Sequence, residues 1–272
     1  VPADLIFWLA LATKLAVTAG FVVFATWTAE RAGPLIGAMV VTLPVSAGPS
    51  YVFLALDHDA RFIAASALAS LISNAGTVLF CAVYTVAAQS RSLAASLSAA
   101  LGTWIVFVVA VQALDLTMPG VLSFNAATFL VGLPVIWRLR QAPVRPFVRR
   151  WYDIPLRAGM VAALVGTVVG LSSTLGPTTT GILALFPIVL TSVTLILHRR
   201  LGGPATAAIT ANSIPGLAGF CLALVALHLL PLRIGTPLAL AFSLSVPLAW
   251  NLMLFGVSRY VRARSAAATS LR

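Results

Sequence analysis

Polar side chains are scarce in this chain, and those that fall deep within apolar runs are suited to holding a solute rather than breaking a bond. Lys14, the only lysine, lies inside such a run, where a charge costs about 2.5–3.5 kcal/mol on insertion scales. Arg157 occupies the corresponding place in a later run. Either could hold an anionic group or a helix C-terminus; snorkelling to the interface is the competing role. Ser46, Ser50, Ser73, Asn74, Thr191, Ser192, Asn212 and Ser213 add hydroxyls and amides beside prolines and glycines, notably Pro44, Pro49, Pro187 and Pro215-Gly216. Proline removes a backbone donor and loosens a helix. Polar backbone freed at membrane depth is tolerated only where protein or a water-filled cavity covers it. Together with Lys14 and Arg157, these residues are the expected substrate-binding set. For Ser73, Asn74, Asn212 and Ser213, inter-helix hydrogen bonding is an equal competitor. His58 and His198 each end an apolar run and could couple protons to gating, although capping a helix C-terminus is the simpler role.

What is missing narrows the chemistry. Glu30, Asp57, Asp59, Asp115 and Asp153 all fall at ends or connections of apolar runs, so an organic cation finds no buried counter-charge and an anionic or neutral solute is favoured. No His-Glu-x-x-His, Gly-x-Ser-x-Gly or Walker glycine loop occurs, and an enzyme is not expected. The 3 histidines and 2 cysteines are too dispersed for a zinc site, and no cofactor is expected. Cys81 and Cys221 read as small hydrophobes.

These groups must be positioned by membrane helices. Hydrophobic residues make up 60% of the chain and charged ones 8%, and the mean hydropathy is +1.04. Apolar runs of about 20 residues, enough to cross a bilayer, follow one another closely, and in hydrocarbon they must be helical. The expected fold is an all-α polytopic membrane protein of about nine spans, near 4–27, 33–56, 62–88, 92–113, 120–137, 155–173, 177–197, 204–230 and 235–257. The net charge of +11 does not indicate nucleic acid, because the arginines sit in short connections. Arg31, Arg91, Arg138, Arg140, Arg145, Arg149, Arg150, Arg199, Arg200, Arg259, Arg262 and Arg264 sort to one side, leaving Arg61 and Arg233 on the other. By the positive-inside rule the N-terminus is outside and the C-terminus cytoplasmic, with anionic lipid headgroups a partner for the 138–150 loop. The first residues lack a basic n-region, so no cleavable signal peptide is expected. Arginine in place of lysine hints at a high-GC bacterial gene and an inner-membrane location.

The runs are also duplicated. Gly33-Pro34, Pro44, His58, Ala65, Ala67, Ser73, Gly76 and Phe80-Cys81 recur about 140 residues later as Gly176-Pro177, Pro187, His198, Ala205, Ala207, Ser213, Gly216 and Phe220-Cys221. Only the Pro-to-His interval differs, being three residues longer in the first copy. The expected organisation is a first repeat over 1–115, a linker helix and basic loop over 116–152, a second repeat over 153–258 and a basic tail over 259–272. An offset of five spans makes the two four-helix units inverted in topology; a parallel pair would need an even offset. Gly33-Pro34 and Gly176-Pro177 are expected to start their spans, and most matched small residues to be packing surface. Trp104, Trp250 and Asn251 read as core, and Trp8, Trp137 and Trp151 as interface anchors.

The segment Gly181-Ile182-Leu183-Ala184-Leu185-Phe186-Pro187, followed by His198, resembles the small GlpM-type bacterial inner-membrane proteins. The first copy departs from that pattern in having Leu43 before Pro44 and a longer interval to His58. The resemblance implies two fused units joined through the fifth span; it implies no mechanism. The residues and the repeat point to a secondary transporter of a small anionic or neutral solute, with a channel or a non-transporting membrane scaffold as alternatives. The partners expected are a small-molecule solute and membrane lipid, with no nucleic acid, and a homodimer is permitted.

Overall fold

The computed structural model describes residues 3–31, 46–137, 139 and 150–270. Among them the chain forms α1 (Ala3–Arg31), α2 (Ala47–Asp57), α3 (Ala60–Ala87), α4 (Leu93–Gln112), α5 (Met118–Trp137), α6 (Asp153–Gly170), α7 (Ser172–Ala184), α8 (Ile188–Leu201), α9 (Gly203–Ala211), α10 (Ile214–Leu229), α11 (Pro231–Ile234) and α12 (Thr236–Ser270). Among the described residues 7 helices are long and apolar enough to cross a membrane, or 8 when the bent pair α7/α8 is one span. The protein is an all-α, multi-pass membrane protein. Gly33-Pro34, Pro44, Arg138, Arg140, Arg145 and Arg149 lie outside the described residues.

Local chemistry accounts for the ends. The Asp59 carboxylate accepts the Phe62 amide at the start of α3, and the Ser92 hydroxyl accepts the Ala95 amide at the start of α4, each supplying an acceptor that the first helical turn lacks. Gly176 takes φ 72° and Pro177 follows it into the helix, as the Gly-Pro pair predicts. Met118-Pro119-Gly120 forms the first turn of α5, and just before it Asp115 has φ 44°.

α3 is the axle of the molecule. It packs against α4, α5, α7, α9 and α10, and it is unbroken across Ser73-Asn74-Ala75-Gly76-Thr77, so that polar insertion interrupts nothing. The two later spans are broken. α7 and α8 meet at 43° around Phe186-Pro187, and α9 gives way to α10 at Asn212-Ser213, with Pro215 in the first turn of α10.

Several contacts fall in related pairs. Trp104 of α4 donates its indole N–H to the Ser73 carbonyl of α3 (3.3 Å), and Trp250 of α12 donates to the Pro215 carbonyl of α10 (2.8 Å). Each indole also lies on a glycine: Trp104 on Gly76, Trp250 on Gly219. Leu15 of α1 meets Gly166 of α6 and Leu11 meets Gly170, so these two helices run antiparallel. His228 bonding the Ala64 carbonyl and Asn74 bonding the Leu217 carbonyl show the same for α3 and α10.

A buried amide docks α5 on α3. Asn125 is buried; its amide donates to the Leu71 and Val121 carbonyls (2.9 and 3.0 Å) and its oxygen accepts from Asn74 (3.0 Å). Asn125→Leu strips α3 of these partners and is expected to cost about 1–3 kcal/mol, read as a lowered melting temperature in detergent. Asn74→Leu added to it should recover part of the loss, because no buried amide is then left over.

Candidate functional site

On α3, Ser66, Ser70, Ser73, Thr77, Cys81 and Tyr84 follow the i, i+3/i+4 spacing of one helix face, and all are buried. The first three hydroxyls face α7: Ser66 donates to the Pro177 carbonyl (3.0 Å), Ser70 to Gly181 (2.6 Å), and Ser73 lies 3.1 Å from both the Ile182 and Leu185 carbonyls. Tyr51 of α2 adds a hydroxyl 2.6 Å from Ser70. Since Ser70 has one proton and directs it to Gly181, Tyr51 is the donor in that pair.

The break in α7 explains why α3 carries these hydroxyls. Pro187 has no N–H, and the Phe186 N–H turns back to the Leu183 carbonyl (3.0 Å). The Leu185 N–H likewise goes to Leu183. The carbonyls of Gly181 and Ile182 lose their ordinary i+4 donors, and buried carbonyls need replacements. Ser70 and Ser73 provide them. Approach this close requires Gly181, whose Cα lies so near Ser66 that a Cβ would overlap the Ser66 carbonyl.

Two latches sit at opposite ends of α3. At one end, Lys14 of α1 pairs with Asp57, the last residue of α2 (2.5 Å), and His58 Nε2 is 2.7 Å from the Ser172 hydroxyl at the start of α7. The His58 ring stacks on Phe62, with ring centres 3.7 Å apart. At the other end, Arg200 of α8 grips Asp153 of α6 through two bonds (2.5 and 2.6 Å), and His198 Nδ1 is 2.7 Å from the Tyr84 hydroxyl. Beside this latch Arg150 donates to the Tyr152 hydroxyl (2.9 Å), and that bond, with a further one to Arg200, holds the phenol below its ordinary pKa. The ion pairs have opposite polarity: Lys14 of α1 meets the last residue of α2, whereas Asp153 at the start of α6 meets Arg200 in the last turn of α8.

The expected site residues therefore separate. Ser73 and Asn74 are central and buried, engaged between helices. Ser50 is buried, with its hydroxyl on the Ser46 carbonyl (2.9 Å), and Ser46 is the residue before α2. Thr191 and Ser192 are buried on α8 and return their hydroxyls to Pro187 and Val189. Asn212 is exposed and Ser213 half-buried, each bonding within its own span. Lys14 and Arg157 are not brought together: Lys14 holds Asp57, whereas Arg157 lies one turn along α6 from Asp153, toward the opposite end. His58 is the C-cap residue of α2 and His198 lies in the last turn of α8, and both also bond a distant helix.

Ser66, Ser70, Tyr51 and Tyr84 belong to this centre, although none stands out in sequence. Their signal is the helical period along the third span. Three buried atoms there and nearby have no hydrogen-bond partner among the described residues: Asn74 Oδ1, Thr180 Oγ1 and Ser243 Oγ. A cavity of about 300 Å³ lies elsewhere, between α1, α2 and α12, and its walls (Val17, Phe21, Val52, Phe53, Leu244) are apolar. No group of three or more His, Cys, Asp or Glu able to hold a metal ion occurs among the described residues. No family model, curated protein or solved structure matches this chain, and its chemistry rests on its own residues.

Proposed function

We propose that the protein is a secondary transporter of a small anionic or neutral solute, working by alternating access around the contact of α3 with the broken span α7/α8. The observation that carries this reading is the pairing of a broken, hydroxyl-satisfied helix at the centre with separate latches at the two ends of α3. Discontinuous helices at mid-membrane are the recurring solute-site device of inverted-repeat transporters. We read the chain as two such units, 1–115 and 153–258, joined by α5 and the basic loop. The antiparallel pairs α1/α6 and α3/α10, and the doubled Trp-on-Gly contacts, support that reading. In this reading each half is kin to GlpM-type proteins, and the protein lies in a bacterial inner membrane with the N-terminus periplasmic and the C-terminus cytoplasmic. No catalytic step is proposed.

Opening one end would separate His58 from Ser172; opening the other would separate Tyr84 from His198. In proteoliposomes, counter-flow of a labelled solute from a panel of small carboxylates, phosphates and neutral polyols should saturate, and Ser70→Ala with Ser73→Ala should reduce it at least tenfold. Flux that never saturates and shows no counter-flow would indicate a channel instead.

A second reading has its own support. The centre is tightly packed, with Gly181 against the Ser66 backbone and the α3 hydroxyls already bonded to α7, as a membrane scaffold requires. Absence of flux for every solute, together with stable co-purification in a larger complex, would select it.

A further inference from the structure

The hydroxyls of α3 differ in their proton count. At Ser70 the count balances: Tyr51 O–H donates to Ser70, and Ser70 O–H donates to the Gly181 carbonyl. At Ser73 it does not. Ser73 Oγ is 3.1 Å from both the Ile182 and Leu185 carbonyl oxygens, and its single proton can serve one of them at a time. Neither carbonyl has its ordinary helical donor: the Phe186 N–H, which would serve Ile182, is bonded to Leu183, and no backbone N–H among the described residues, that of Val189 included, is bonded to the Leu185 carbonyl. Three oxygens thus converge in a fully buried place, around a residue of 0% exposure, with one hydrogen among them.

The surroundings favour a small positive charge. The oxygens lie at the C-terminal end of α7, where the helix dipole is negative, and unwound carbonyls beside a half-helix end are a recurrent ligand set for a coupling cation. No carboxylate is close in sequence to any of the three, which disfavours a divalent ion on charge grounds. Sodium resembles calcium in radius, and calcium sits about 2.3–2.6 Å from its oxygens, so one octahedral face has edges of about 3.3–3.7 Å. The two 3.1 Å separations from Ser73 Oγ need only a small relaxation to match two of those edges.

We propose that Ser73 Oγ and the carbonyl oxygens of Ile182 and Leu185 form one face of a sodium site at the α7/α8 break. The Ser73 proton turns back toward its own helix, a common serine arrangement, and water or solute oxygens complete the shell. The proposal deepens the transporter reading by naming its coupling ion, and it rests on that reading only for the ion's role, not for binding.

The test is thermal unfolding of the detergent-purified full chain in sodium, potassium or choline chloride at equal ionic strength. Sodium alone should raise Tm, by about 3 °C at a concentration well above Kd. Ser73→Ala should lower Tm in all three salts and lose the sodium increment; Ser70→Ala should lower Tm and keep it. Equal melting of the wild type in the three salts, or an intact increment in Ser73→Ala, overturns the site. If Ser73→Ala does not fold, equilibrium binding of ²²Na⁺ to the wild type decides, and its absence overturns the site by itself. Sodium binding in a protein without counter-flow supports the site while ending the transport reading. Counter-flow in a protein that binds no ²²Na⁺ ends the site and leaves transport standing.

Discussion

Gly181→Ala is expected to abolish the folded, monodisperse protein, or to leave it melting far below the wild type. The added methyl group would fall on the Ser66 backbone carbonyl, and backbone cannot step aside by a rotamer change. Overpacking usually costs about 1–3 kcal/mol where side chains can yield; here three neighbouring hydrogen bonds from Ser66, Ser70 and Ser73 must also lengthen if α7 retreats. Their average worth in membrane proteins is about 0.6 kcal/mol each, so the expected total is roughly 3–5 kcal/mol. Gly102→Ala is the control, because nothing lies within 4 Å of its Cβ position; it should melt like the wild type. Size-exclusion profiles after graded heating compare the two variants directly. Equal stability of Gly181→Ala and Gly102→Ala would show that α3 and α7 are not in this contact.

Asp153→Asn is expected to be nearly as damaging, and far worse than Asp57→Asn. Arg200 and Asp153 are joined by two bonds, and their side chains are only 15% and 7% exposed. Removing one member of an enclosed pair leaves an uncompensated charge, which is strongly destabilising. Lys14 and Asp57 are 21% and 37% exposed and joined by a single bond, so the charge left behind there is less enclosed. The ranking follows from burial, since both pairs are short. A double variant, Asp153→Leu with Arg200→Met, should recover most of the loss of Asp153→Asn. Unfolding midpoints of the three variants give the ranking; a larger loss from Asp57→Asn would reverse the assignment of which latch is the stronger.

The spans were legible in sequence because apolar length is a local property. The expected 92–113 and 120–137 correspond to α4 and α5 within two residues, and Pro187 and Pro215 mark the two broken spans because a missing N–H acts where it stands. Partners were not legible. Lys14 reads as an isolated intramembrane charge, yet Asp57, 43 residues on, pairs with it in the folded chain. Asn125 carries no partner signal in sequence and is the amide that docks α5 on α3. Ser213 was weighted by its match to Ser73, but the α9/α10 break leaves it half-buried and bonded to Ile209 within its own span. The same residue type at the two places has different surroundings. The stripe from Ser66 to Tyr84 could have been found by its helical period, had that face been separated from the small residues packed around it.

The central claim is that the two ends of α3 open in alternation. Double electron–electron resonance on the Cys81→Ala, Cys221→Ala background tests it, with spin labels on exposed neighbours of the latches. Arg61→Cys with Ser173→Cys reports the His58–Ser172 end, and Gln89→Cys with Arg199→Cys reports the Tyr84–His198 end. The distances would be followed between about pH 5 and pH 8, where histidine titrates, and with the solute found by counter-flow. The account predicts two distances at each end, with every condition that lengthens one pair shortening the other. A single unchanging distance at both ends, in every condition, would contradict it.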